Sequence, residues 1–130
     1  MNPESNHPVS EERQSLWLLA VSPAIWTVHF LFSYIGAAVW CGKVVGREGS
    51  LDPMRAAIAV TALLAVAGIA FTGVAGWRKH THEASPPPHH EDTPEDRHRF
   101  LGYATVLLSC LSAVGTIYVA LACIFIRSCV

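Results

Sequence analysis

The chain has 130 residues, of which 52% are hydrophobic and 15% charged, with a net charge of −1. This length suits one domain, and charge this scarce does not cover an ordinary soluble surface. The near-zero balance leaves no basic footprint for nucleic acid, so that partner class is set aside.

Charges gather in residues 4–13, 43–55 and 78–99 and at Arg127. Between them lie three apolar runs, Leu16 to Cys41, Ala56 to Trp77 and Phe100 to Ile126. Each reaches the roughly 20 residues that a helix needs to cross a bilayer's hydrocarbon core. Each is apolar all round, without the stripe of a surface helix, and a soluble bundle of three such helices would lack polar surface. The fold class is therefore an all-α integral membrane protein, a bundle of three transmembrane helices in one domain. Residues 1–15 form a polar tail and 16–41 span 1. Residues 42–55 are a loop, 56–77 span 2, 78–99 a His/Pro/acid-rich loop and 100–127 span 3.

The flank "NPESNHPVSEERQS" is net acidic, and the run after it is too long for a signal peptide, so span 1 stays uncleaved. Ser10 or Ser15 is positioned to cap its helix, and residues 1–13 are expected to be mobile. Pro23 removes a backbone bond inside span 1, with Ser22 and Thr27 close by to compensate. In "SLDP", Asp52 is placed as an N-cap and Pro53 as the first helical residue of span 2. Gly68, Thr72 and Gly76 share one face of span 2, and Ser112, Thr116 and Ala120 one face of span 3. Small residues at this spacing let helix backbones approach closely in lipid, although Ala-rich sequence also produces it by chance. The second loop contains "PPP", and residues 80–97 are expected to hold little fixed structure.

Three spans put the N-tail and second loop on one side, with Arg13, Arg78, Lys79, Arg97 and Arg99. The other side carries Lys43, Arg47, Arg55 and Arg127. Positive charge favours the cytoplasm, so the N-terminus is expected inside and the C-terminus in the periplasm. Cys41 and Cys129 then fall on the same, oxidising face, where a disulfide between span ends is expected. Two unrelated thiols, or a pair of thiolates holding copper(I), remain alternatives. Cys110 and Cys123 read as small packing residues.

Two histidine patterns carry candidate chemistry. His80, His82, His89 and His90, with His98 and neighbouring carboxylates, suit zinc, copper or nickel, but their spacing fits no closed site. A solvated linker is the plainer reading. His29 stands alone midway along span 1, with Trp26, Ser33, Ala37 and Trp40 broadly on its side. An unpaired imidazole in hydrocarbon is costly, so His29 is expected to face the bundle. A hydroxyl of Ser33, Ser109, Ser112 or Thr116 is its expected partner. A neutral imidazole joining helices competes with cofactor binding, as a haem ligand or a quinone or proton contact. A bis-histidine haem would need a second chain, because no other span holds a histidine.

The segments "SPAIWTVHFLFSYIGAAVWCGK", "RFLGYATVLLSC" and "CIFIRSC" resemble small bacterial membrane proteins associated with haem–copper terminal oxidases and their assembly factors. The likeness rests on Pro23, Trp26, His29, Cys41 and Cys129 and covers spans 1 and 3. It implies a respiratory setting in the inner membrane and an accessory role beside other membrane subunits, with a homo-oligomer as the other possible association. It names no activity, and no catalytic motif is present. A redox protein using His29 and a metal-handling protein using the second loop are the alternatives.

Overall fold

The computed structural model describes residues 7–46, 48–82 and 94–129. Helix α1 runs His7–Val39, α2 Asp52–His82 and α3 Pro94–Phe125. A π-helical turn, Trp40–Val44, prolongs α1. Three stretches, Leu16–Val44, Asp52–Thr81 and Arg99–Phe125, are long and apolar enough to cross a membrane. The helices overrun the apolar runs at almost every end. Helix α1 already starts at His7, so Ser10 and Ser15 lie inside it and neither caps it. Residues 80–82 and 94–97 are helical rather than irregular. Lys79 near the end of α2 and Pro94 at the start of α3 favour these extensions, one by charge at a helix C-terminus and one by its fixed φ. The His/Pro-rich connection, residues 83–93, lies outside the described residues.

Polarity is inverted relative to a soluble bundle. Large apolar side chains such as Leu63, Phe71, Leu111 and Tyr118 face outward, while Ser22, Ser33, Thr72, Thr105, Ser109, Ser112 and Thr116 are buried. The buried apolar residues, Leu51, Met54, Ile58, Ala62, Ala65 and Ile69, all belong to α2 or its approach. With Thr72 and Gly76 they form one seam along α2 whose members are three and four residues apart. Gly102, Thr105, Ser109, Ser112 and Thr116 make the matching seam on α3. This is the 3.5-residue repeat that keeps one face of a helix against its neighbours. Helices α2 and α3 approach closely where Gly76 meets Gly102. A Cβ on Gly102 would stand 3.0 Å from the Gly76 carbonyl oxygen. Of the small face expected on α2, Thr72 and Gly76 belong to this seam, while Gly68 lies beside it and faces Ile25 of α1.

One hydroxyl from each helix meets at the centre of this interior. Ser22 Oγ lies 2.6 Å from Thr72 Oγ1 and 2.8 Å from Ser109 Oγ. Thr72 also donates to the Ile69 carbonyl at 2.8 Å. One proton order satisfies all of these contacts: Ser109 donates to Ser22, Ser22 to Thr72, and Thr72 to its own helix. Pro23 is accommodated beside this cluster, with Thr27 donating to the Pro23 carbonyl at 2.8 Å.

The end formed by the first loop and the C-terminus is tied in several ways. Cys41 and Cys129 form a disulfide with Cα atoms 5.6 Å apart. Ser50 and Ser128 form an antiparallel bridge. Arg55 donates to the Ile124 carbonyl at 2.7 Å and contacts Asp52 at 3.2 Å. It therefore satisfies a carbonyl that the last turn of α3 leaves without a helical partner. The capping contact at the start of α2 comes from Ser50, whose Oγ accepts the Asp52 N–H at 3.2 Å. Asp52 itself is the first helical residue rather than the cap. Gly46, with φ of +70°, turns the chain between the π-helical turn and this bridge.

Stability in detergent micelles should reflect both the close pairing and the covalent tie. Gly102→Leu forces α2 and α3 apart and should cost about 1–3 kcal/mol, whereas Gly42→Ala, with open space around it, should be neutral or mildly stabilising. Equal effects of the two would contradict the close α2–α3 contact. Cys41→Ser opens a loop of 88 residues. It should lower the unfolding midpoint, by less than the ~4–5 kcal/mol of the chain-entropy model because apolar spans held by a micelle are less free than a chain in water. An unchanged midpoint, with both thiols freely alkylated in the unreduced wild type, would contradict the tie.

Candidate functional site

His29 is one residue from the middle of the Leu16–Val44 span. At 1.5 Å per residue it lies about 10 Å along the helix from the Ser22 cluster. Its side chain is only 4% exposed. Neither ring nitrogen has a hydrogen-bond partner among the described residues. The ring is buried, but none of the hydroxyls expected to meet it does so, and three of those four are engaged elsewhere. Ser33 donates to the backbone carbonyl of His29 at 2.9 Å, Thr116 to that of Ser112 at 2.9 Å, and Ser109 meets Ser22. The reason is local: a Ser or Thr in a helix readily turns back onto the carbonyl one turn earlier. A buried polar group left unpaired costs about 1–3 kcal/mol. His29 is thus an unsatisfied donor and acceptor at mid-depth.

The imidazole lies in the wall of a groove between α1 and α2 of about 480 Å³. Val21, Ile25, Val28, Phe32, Thr61 and Ala65 are among its other lining residues. Thr61 turns its hydroxyl onto the carbonyls of Ala57 and Ile58, both at 3.0 Å. His29 is the other polar side chain of the wall, and both of its ring nitrogens are buried within the protein rather than open to the groove. The exposed residues Ala24, Val28 and Phe32 form its outer edge.

Trp26, placed near His29 by helical spacing, makes a second site of unspent polarity that the sequence did not mark as such. Its Nε1 is buried without a partner and packs against Gly115, where an added Cβ would sit 2.6 Å from that nitrogen. Trp26 lines a groove of about 340 Å³ between α1 and α3. On the outer side Trp26, Phe30 and Tyr34 form a stacked ridge, with ring centroids 5.9 and 6.2 Å apart. Nearer the disulfide, Trp40 donates to the Ser50 carbonyl at 3.3 Å.

The loop histidines are not brought together among the described residues. His80 Nδ1 lies 3.3 Å from the Arg99 carbonyl oxygen, and its ring stands between those of Trp77 and Tyr103, at 5.9 and 6.1 Å. It therefore belongs to the α2–α3 contact. His82 ends α2, while His89 and His90 lie outside the described residues. No group of three or more metal-ligating side chains occurs among the described residues. Cys123 is half-buried and Cys110 exposed on the outer surface of α3, so Cys110 is not the interior packing residue expected.

Comparison with protein-family models, with curated proteins and with solved structures finds no match to this chain.

Proposed function

We propose that this protein is a small accessory or assembly subunit of a bacterial respiratory terminal-oxidase complex, acting by helix contact within the inner membrane. The observation that carries the reading is the incomplete packing of α1. Its buried side chains among the described residues are Ser22, His29 and Ser33, whereas every third or fourth residue is buried in α2 from Met54 to Gly76 and in α3 from Gly102 to Thr116. Grooves flank α1 on both sides, and another of about 630 Å³ lies towards its disulfide end beside Gly36, Trp40 and Met54. Between them stands the Trp26–Phe30–Tyr34 ridge. In lipid, helices associate by packing detail rather than by hydrophobicity, and a ridge flanked by grooves offers that detail to a partner helix. The respiratory identity of the partner comes from the resemblance of spans 1 and 3.

Orientation in this reading is N-terminus cytoplasmic and C-terminus periplasmic. The five-to-four distribution of positive residues supports it, as does the disulfide at the first-loop and C-terminal face, which suits an oxidising compartment.

Purification in mild detergent from the native membrane tests the reading. The protein should elute with oxidase subunits in fixed stoichiometry, and Phe30→Ala with Tyr34→Ala should release it while it remains folded. Elution as an isolated monomer or homo-oligomer from membranes that contain the oxidase would contradict it. An alkaline phosphatase fused after Val130 should be active; an inactive one beside a fluorescent cytoplasmic reporter at the same position would reverse the orientation.

A further inference from the structure

We propose that the end of the α2–α3 pair carrying Arg78, Lys79 and Arg99 binds the headgroup phosphate of an anionic phospholipid. The inference is independent of the accessory-subunit reading and of which face is cytoplasmic. It stands on where charge falls along the spans. At this end the spans Asp52–Thr81 and Arg99–Phe125 hold three cations, Arg78, Lys79 and Arg99, and no carboxylate. The acidic residues nearest in sequence, Glu83 and Asp96, lie beyond the span limits. At the opposite end Asp52 falls inside its span and pairs with Arg55. Arg78 and Lys79 are exposed and Arg99 is half-buried, and none of the three forms an ion pair among the described residues.

The two helix ends are held as one piece. Gly76 packs against Gly102, and His80 Nδ1 lies 3.3 Å from the Arg99 carbonyl oxygen. The His80 ring stands between Trp77 and Tyr103, which are 53% and 49% exposed. Half-exposed Trp and Tyr rings at a span end mark the depth of the headgroups. The three cations lie within about one helical turn of these rings, at the level where lipid phosphate sits.

Depth and charge separate the occupants. A soluble phosphate would have only apolar surface on its inner side, where it finds no hydrogen bond. A phospholipid fits both parts. Val74 and Leu107, exposed and apolar, continue the Trp77 and Tyr103 faces one turn inward and offer contact to its acyl chains. A zwitterionic headgroup would bring its own cation beside three others, so a net negative headgroup is selected. The two guanidinium groups, one on each helix, can each give a phosphate two parallel hydrogen bonds. Each basic residue near an anionic membrane surface is worth about fivefold in affinity.

The test uses the full chain, labelled with ¹⁵N-tryptophan, in phosphatidylcholine nanodiscs with a rising share of phosphatidylglycerol. The Trp77 indole signal, assigned by its loss in Trp77→Phe, should shift and saturate. Trp17, near the start of span 1 at the same face, and Trp40, at the other face, should show only the gradual drift of a charged surface. Arg78→Gln, Lys79→Gln and Arg99→Gln should each raise the half-saturating share of phosphatidylglycerol about fivefold, and Lys43→Gln at the other face should leave it unchanged. Glycerol phosphate, added in water to phosphatidylcholine discs, should leave Trp77 in place. No saturable shift of Trp77 overturns the proposal and would mean that the chain's own carboxylates already cover the cations. An equal shift with glycerol phosphate overturns it by making the ligand a soluble phosphate. Matching shifts of Trp17 and Trp77, or a titration unchanged in all three glutamine variants, overturn it by reducing the response to surface charge alone.

Discussion

The contact on which the bundle depends is the meeting of three hydroxyls at Ser22, Thr72 and Ser109, one from each helix. In a bilayer, apolar side chains gain nothing by leaving lipid for the protein interior, so the hydrophobic effect does not hold helices together there. Close backbone approach and internal hydrogen bonds remain. Gly76 against Gly102 provides the first, and the Ser22 cluster provides the second while fixing the rotation of all three helices at once. Residues seven positions along α1 from Ser22 return to nearly the same face, which is why His29 is turned inward. The buried imidazole is thus a consequence of the seam.

The two ends of the bundle are closed differently. At the disulfide end, three devices act on the same few residues: the Cys41–Cys129 link, the Ser50–Ser128 bridge and the Arg55 contact to Ile124. They anchor the last turn of α3 to the first loop and the start of α2. At the other end, the Trp77, His80 and Tyr103 rings pack where α2 and α3 lie close together. Between these ends, α1 is joined to the α2–α3 pair mainly through polar side chains and leaves grooves on both its flanks. That looseness leaves α1 the least closely packed of the three helices.

Much of this was legible in the sequence, and the rest was hidden for identifiable reasons. The three spans could be read because charge-free runs of more than about 20 residues have little place in a soluble fold. Their ends could not, because a helix leaving the hydrocarbon continues through polar residues such as Arg78 and Lys79 until its hydrogen bonds find a better use. The inward faces were only partly visible. A soluble helix marks its buried side by hydrophobicity, but here the spans are apolar all round and the mark is small size or a hydroxyl, repeated at three and four residues. Ser22 looked like a companion of Pro23 and became the hub of the interior. The expected hydroxyl partner for His29 failed because sequence shows which hydroxyls are near but not which carbonyl each prefers. Ser33 and Thr116 turn to their own helices, and Ser109 to Ser22. Trp26 stood out only as a neighbour of His29 and a carrier of the resemblance, since its unpaired nitrogen depends on where Gly115 lets α3 approach.

If a buried hydroxyl contact, rather than apolar burial, couples the helices, Ser22 and Ser109 must depend on one another energetically. A double-mutant cycle between Ser22→Ala and Ser109→Ala, measured by reversible unfolding in detergent micelles, tests this most directly. The predicted coupling energy is about 0.6–1.7 kcal/mol, the range found for hydrogen bonds between membrane helices. Strict additivity of the two substitutions would mean that the hydroxyls do not act on one another, and would contradict a bundle held together at this contact.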